Sequence, residues 1–172
     1  NWQLGNLPKG YDHKYTYSHL GYNLKITDMQ AAAGLAQLQR LTDFIDARKK
    51  NFNFLNKRLK PLSDFLILPV ATKNSDPSWF GFPITMHSQV GKSRADLQQH
   101  LDSSKIGSRL LFSGNITKQP YFSDRKYRVI GDLSNTDIIM NKTLWIGVFP
   151  GLTEEMLEFV ATRIAAFFGV DL

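Results

Sequence analysis

Apolar residues recur at helical spacing through the first third of the chain. Leu38, Leu41, Ile45, Phe52, Leu55 and Leu59 follow at steps of three, four or seven, one stripe down a single helix face. Thr27 stands ahead of the run as an N-cap, with Gln30 at the capping-box position, and Pro61 ends it. The pattern predicts one helix over 27–60. At about 1.5 Å per residue it would be roughly 50 Å long, more than a domain of this size spans, so it is expected to lean on a partner domain or subunit. Ala31, Ala32 and Ala33 near its start are small enough for another backbone to come close.

Shorter elements follow. Phe65–Pro69 reads as an edge strand and, after the polar turn Lys73–Pro77, Trp79–Met86 reads as a second strand. Ser93 caps a helix to about Asp102 with Asp96 at the box position, and a strand is expected around Arg109–Phe112. A short helix over Thr136–Lys142 and a strand over Thr143–Phe149 come next. The last helix carries every terminal signal: Thr153 as cap, Glu154 and Glu155 in the first turn, a Leu152–Leu157 staple, and Gly169 at the end. Helices mixed with a few short strands predict an α/β chain of α+β type, a small mixed or antiparallel sheet packed by helices. Residues 1–26, rich in Gly, Pro, Tyr and His, read as an ordered loop, 27–60 as the long helix, and 61–172 as a small α+β domain.

With 172 residues, 42% of them apolar and 21% charged, the chain can bury one full core. Its net charge of +6 would suit nucleic acid, an acidic membrane or an anionic small molecule. The densest cluster, Arg48-Lys49-Lys50 with Lys57, Arg58 and Lys60, falls on the helical segment and reads as a solvated face. The other charges are scattered, with no aromatic–basic interleave, which argues against nucleic acid. No apolar run approaches the ~18 residues needed to cross a bilayer, and no signal-peptide pattern opens the chain, so no membrane partner is expected.

There is no cysteine, which removes disulfides and thiolate metal sites from this chain. His13, His19, His87 and His100 show no ligand spacing, so no metal is expected. His87 and His100 read as ordinary surface residues. Gly-x-Ser-x-Gly, P-loop and dinucleotide motifs are missing too, and no catalytic pairing of nucleophile and base stands out. Trp79, Phe80 and Phe82 read as core and sheet packing. Arg109, at the start of an apolar strand, is either paired with a carboxylate or aimed at an anion. Ser113-Gly114-Asn115 reads as a turn after that strand. The polar loop ahead of Thr27 leads to a helix N-terminus, a place that suits an anionic ligand.

Gly21-Tyr22-Asn23-Leu24-Lys25, followed by Thr27-Asp28-Met29-Gln30-Ala31-Ala32 and Gln37-Leu38, resembles the signature of the DegT/DnrJ/EryC1/StrS superfamily of pyridoxal-phosphate nucleotide-sugar aminotransferases. Four further motifs resemble its sugar 3-dehydrase branch, which acts on CDP-4-keto-6-deoxy-D-glucose in 3,6-dideoxyhexose synthesis for lipopolysaccharide. They are Tyr11–His19, Ser75–Phe82, Leu111–Asn115 with Gln119-Pro120, and Pro150–Met156. The resemblance covers essentially the whole chain.

It implies the C-terminal part of a type I pyridoxal-phosphate fold, consistent with a first residue, Asn1, that is not Met. It also implies a cytoplasmic homodimer with shared active sites and pyridoxal or pyridoxamine 5'-phosphate as cofactor. The substrate is a CDP-sugar bound through its C4 ketone, which loses its C3 hydroxyl. An iron–sulfur cluster, on cysteines outside this chain, and an NADH-dependent iron–sulfur flavin reductase supply electrons. The residue at the cofactor-lysine position, a histidine in this branch, lies upstream, so no catalytic residue is expected here and the segment alone is expected to be inactive. By the same resemblance Asn23 reaches the cofactor phosphate of the neighbouring subunit and Lys25, where many aminotransferases have arginine, faces an anion. His19, Tyr22, Arg109 and Asn115 fall in regions that touch the nucleotide sugar, with packing the alternative for each. A nucleotide-sugar aminotransferase of the same superfamily and a non-catalytic basic binding or oligomerisation module are the rival readings.

Overall fold

The computed structural model describes residues 6–172 apart from Gly10, Tyr11, Ser18 and Asn23, and for His13 the backbone alone. The chain divides into two compact units, Asn1–Gln39 and Arg40–Leu172.

The larger unit is built on a four-stranded antiparallel sheet of order β1-β2-β4-β3, with β1 Leu66–Ile67, β2 Gly81–Met86, β3 Ser108–Leu110 and β4 Thr143–Gly147. Its helices are α2 (Leu41–Leu59), α3 (Arg94–Ser103), α4 (Ser134–Lys142) and α5 (Glu154–Phe168). Side chains alternate across a strand, so β2 sends Phe82, Ile84 and Met86 to one face. Ile146 and Leu144 of β4 stand opposite Phe82 and Ile84. These residues close one core with Phe52, Leu55 and Leu59 of α2, Leu97 and Leu101 of α3, and Leu157, Ala161, Ile164 and Ala165 of α5. Helix α4 touches β2 and β4 but supplies no residue to that core.

The other face is organised around Trp145. Its indole Nε1 donates to the Leu110 carbonyl at 3.1 Å, and the Phe80 ring tilts against it at 5.0 Å. Gly81, in register with Gly147, leaves room for the indole: a Cβ at position 81 would collide with the Trp145 ring. Thr85 and Thr143 share a hydroxyl hydrogen bond of 2.8 Å across the same strands. Pro83 lies mid-strand without cost, because β1 pairs only with Met86 and Thr85 and leaves β2 bonded on the β4 side alone at that point.

The expected single helix over 27–60 is two helices. In the smaller unit α1 (Asp28–Leu38) ends at Gln39, and α2 begins after Arg40, which has φ −98° and ψ −1°. No Gly or Pro marks this break. What changes is the packing: α1 has no buried residue, whereas α2 turns Phe52, Leu55 and Leu59 into the core. The stripe is therefore split, with Leu38 and Leu41 exposed.

The basic cluster also differs from the solvated face expected. Arg48 donates to the carbonyls of Trp79 and Phe80, Lys49 pairs with Asp76 at 2.6 Å, and Arg58 forms a two-pronged pair with Glu158 of α5. Lys50, Lys57 and Lys60 do face solvent. Strands β3 and β4 are shorter than expected, and Phe112 follows β3 in the left-handed region at φ 50°. Both helix caps expected at Ser93 and Thr153 are present, the first with its full capping box. No helix of the described residues is long and apolar enough to cross a membrane.

Candidate functional site

The loop ahead of α1 and the start of that helix form the first candidate region. Asn23, the residue expected at the cofactor phosphate, lies outside the described residues. Lys25 is exposed in the irregular stretch that leads into α1. Tyr22 is 91% exposed, and Leu20, Leu24, Ile26 and Met29 are exposed around it. His19 is exposed and engaged in a contact of its own.

The helix N-terminus is less open to an anion than its sequence suggests. The Thr27 hydroxyl accepts a hydrogen bond from the Gln30 amide at 3.3 Å, and the Gln30 side chain accepts from the Thr27 amide at 2.9 Å. Asp28 adds a carboxylate in the first turn, which already complements the positive end of the dipole. An anion held here therefore depends on groups ahead of the cap, of which Lys25 is the described cation nearest to it in sequence.

The second region follows β3. Arg109 is exposed, in register with Trp145 on β4. It makes no ion pair among the described residues, so the carboxylate-paired option is not realised within them. Asn115 is different in kind, being only 2% exposed. Its Oδ1 accepts from the Thr117 amide at 3.1 Å and hydroxyl at 2.7 Å, and its Nδ2 donates to Asp137 Oδ1 at 2.8 Å. Asp137 also pairs with Lys118 at 2.8 Å. Hydrogen bonds from Lys118 and Asn115 hold the Asp137 carboxyl below the usual carboxylate range. Asn115 thus ties the loop after β3 to α4.

His87 and His100 are not idle surface residues. The His87 ring meets the Ser63 carbonyl at 3.1 Å, and His100 meets the Arg163 carbonyl at 2.9 Å, joining α3 to the last helix. Sequence reasoning also passed over Asn51, buried on the apolar side of α2, whose Nδ2 donates to the Phe149 carbonyl at 2.8 Å. Only its position, one step from Phe52 on the stripe, hinted at burial. No group of three or more potential metal ligands occurs among the described residues. The structure does not bring a nucleophile and a base together at any of these positions. It presents an exposed loop with a cation and a second, separately described loop braced by a buried amide.

A model of the DegT/DnrJ/EryC1/StrS aminotransferase family matches residues 4–165. The chain is 60% identical over 169 residues to the lipopolysaccharide biosynthesis protein RfbH of Salmonella typhimurium, which takes in 98% of this chain and 39% of that protein. It is 51% identical over 167 residues to a dTDP-4-dehydro-2,6-dideoxy-D-glucose 3-dehydratase of Saccharopolyspora spinosa, covering 97% of this chain and 36% of that one. This chain thus spans less than two fifths of the length of either relative. Among solved structures, Escherichia coli GDP-4-keto-6-deoxy-D-mannose-3-dehydratase with bound hydrated PLP matches with a TM-score of 0.77 at 24% identity, over 91% of this chain and 40% of that one, which shows a shared fold.

Proposed function

Because the chain belongs to the DegT/DnrJ/EryC1/StrS aminotransferase family, we propose that it is the C-terminal part of a pyridoxal-phosphate-dependent nucleotide-sugar 3-dehydratase. The enzyme acts on CDP-4-keto-6-deoxy-D-glucose, in the cytoplasm, on the way to a 3,6-dideoxyhexose of lipopolysaccharide. The observation that carries this reading is high identity along nearly the whole chain to a lipopolysaccharide biosynthesis protein and to a sugar 3-dehydratase.

Within that enzyme, residues 1–26 form the cofactor and interface loop of a homodimer, α1 continues the interface, and the rest forms the small domain. The residues present fit a contribution to a cofactor site rather than a whole one. Lys25 offers a cation to a phosphate from an exposed loop, and Asn23 is proposed to join it at the partner subunit's cofactor. The cofactor, when bound, supplies the electron sink that makes loss of the C3 hydroxyl feasible. His19, Tyr22 and Arg109 are proposed to orient the nucleotide sugar, while Asn115 holds the loop after β3 in shape. An iron–sulfur cluster on another part of the protein and an NADH-dependent iron–sulfur flavin reductase deliver the electrons.

The test uses the full-length protein with pyridoxamine phosphate, the CDP-4-keto sugar, the reductase and NADH. Mass spectrometry of the sugar should show loss of one oxygen at C3 and no nitrogen at C4. A glutamate-dependent amino sugar in its place would assign the protein to the aminotransferases. Residues 1–172 alone should show no turnover, and turnover by them would overturn the division of labour proposed here.

A further inference from the structure

The segment after Asn115 holds a surface that none of these assignments uses. Tyr121, Phe122, Arg125, Lys126, Tyr127 and Arg128 alternate aromatic and basic character, contrary to the expectation that the sequence lacks such an interleave. From Ser123 to Leu133 the backbone has no helix or strand, yet the segment is braced. The Phe122 ring meets Tyr121 edge-on at 5.3 Å and Tyr127 at 4.9 Å. The Arg125 amide donates to the Phe122 carbonyl at 3.1 Å.

The charged groups on either side are already engaged. Lys118 is paired with Asp137, and Asp132 accepts from the Ser134 amide at 3.0 Å at the start of α4. Arg125, Lys126 and Arg128 are exposed and make no ion pair among the described residues, with Asp124 the single carboxylate beside them. The two tyrosines are 61% and 50% exposed.

We infer that Tyr121–Arg128 is a binding surface for a nucleoside diphosphate, with the three cations on the phosphates and a tyrosine face on the base. This rests on the nucleotide-sugar reading of the previous subsection. Guanidinium and ammonium groups bind phosphate oxygens by charge-assisted hydrogen bonds, and bases stack on aromatic faces. The size of the cluster selects the ligand. Arg125 and Arg128 are three residues apart, so their Cα atoms lie within about 11 Å. The three cations less the one carboxylate of Asp124 leave a charge of +2, which matches the two negative charges of the diphosphate in a nucleotide sugar and is small beside a nucleic-acid site of about 6–10 phosphate contacts. The braced rings leave less ordering to be done when a ligand arrives.

The experiment is calorimetric titration of the full-length protein with CDP at low and moderate salt. The variant Arg125→Ala/Lys126→Ala/Arg128→Ala should lose at least tenfold in CDP affinity and most of the salt dependence, with an unchanged melting temperature. Arg125→Lys/Arg128→Lys, which keeps the charge, should retain most of the affinity. Lys57→Ala/Lys60→Ala, which removes exposed cations elsewhere, should change nothing. Wild-type CDP affinity in the triple variant overturns the role of this segment and leaves the proposed reaction standing. Failure of the wild-type protein to bind CDP overturns the nucleotide reading itself, and this inference with it.

Discussion

Helices α1 and α5 both begin at a threonine whose hydroxyl accepts from the amide three residues on, Thr27 from Gln30 and Thr153 from Met156. Both are rich in alanine and large apolar side chains. Yet α5 buries Leu157, Ala161, Ile164 and Ala165, while α1 buries nothing and leaves Met29 82% exposed. The difference separates two kinds of information. A cap is a local matter and is written where the helix starts. Burial depends on what lies opposite, and for α1 nothing among the described residues of its own unit buries the apolar side chains. With 11 residues, α1 is also shorter than the ~12–15 residues an isolated helix needs to hold in water. A helix of that length and composition calls for a covering surface, in line with the interface role proposed for it.

The widest separation between the two units should come from their leucines. Leu55→Ala, at a fully buried position, should cost about 2–5 kcal/mol in urea denaturation. Leu35→Ala should leave that transition within about 0.5 kcal/mol and instead weaken self-association of the full-length protein in sedimentation. Equal destabilisation by both would remove the contrast. Next in size is Asn115→Ala. It leaves Asp137 and the Thr117 amide short of a partner and should cost about 1–3 kcal/mol, showing that a buried amide can matter nearly as much as core leucine.

The caps give a smaller and sharper comparison. Thr153→Ala should cost about 1 kcal/mol in the same denaturation, whereas Thr27→Ala should leave the larger unit's transition unmoved. The smallest effect is expected at Glu158. Its carboxyl is held below the ordinary value first by the hydrogen bond from Arg58, with charge attraction adding to it. The folded pKa is thus depressed, so the pair's contribution is fully present above the ordinary carboxylate pKa near ~4.3. It is lost as pH falls through the folded value. Glu158→Gln should lower stability slightly at neutral pH and leave the low-pH end unchanged, which flattens the acid side of the profile; the loss is small because the pair is part-exposed and screened.

Signals confined to a few residues were legible in the sequence. Thr27 with Gln30, Ser93 with Asp96, Thr153 and Gly169 all mark helix ends that the structure reproduces. The run Trp79–Met86 likewise placed a strand, which the structure has over Gly81–Met86. What could not be read depends on distant partners. The break at Gln39–Arg40 carries no Gly or Pro because its cause is a change of packing surface. Arg58 reads as one cation in a basic helix until Glu158, a hundred residues later, is brought beside it. Asn115 looks like a turn residue by its neighbours Ser113 and Gly114, and only the return of α4 reveals the carboxylate that uses its amide. Of the residues expected at the site, Lys25, Tyr22 and Arg109 are exposed, and Asn115 is withdrawn into the interior.

The fit between Gly81 and Trp145 has a consequence for how this sheet can change over generations. The indole occupies the space that a side chain at position 81 would need. Neither site is therefore free to drift alone. A lineage that enlarges position 81 must first shrink position 145, and a lineage that keeps the tryptophan inherits the glycine with it.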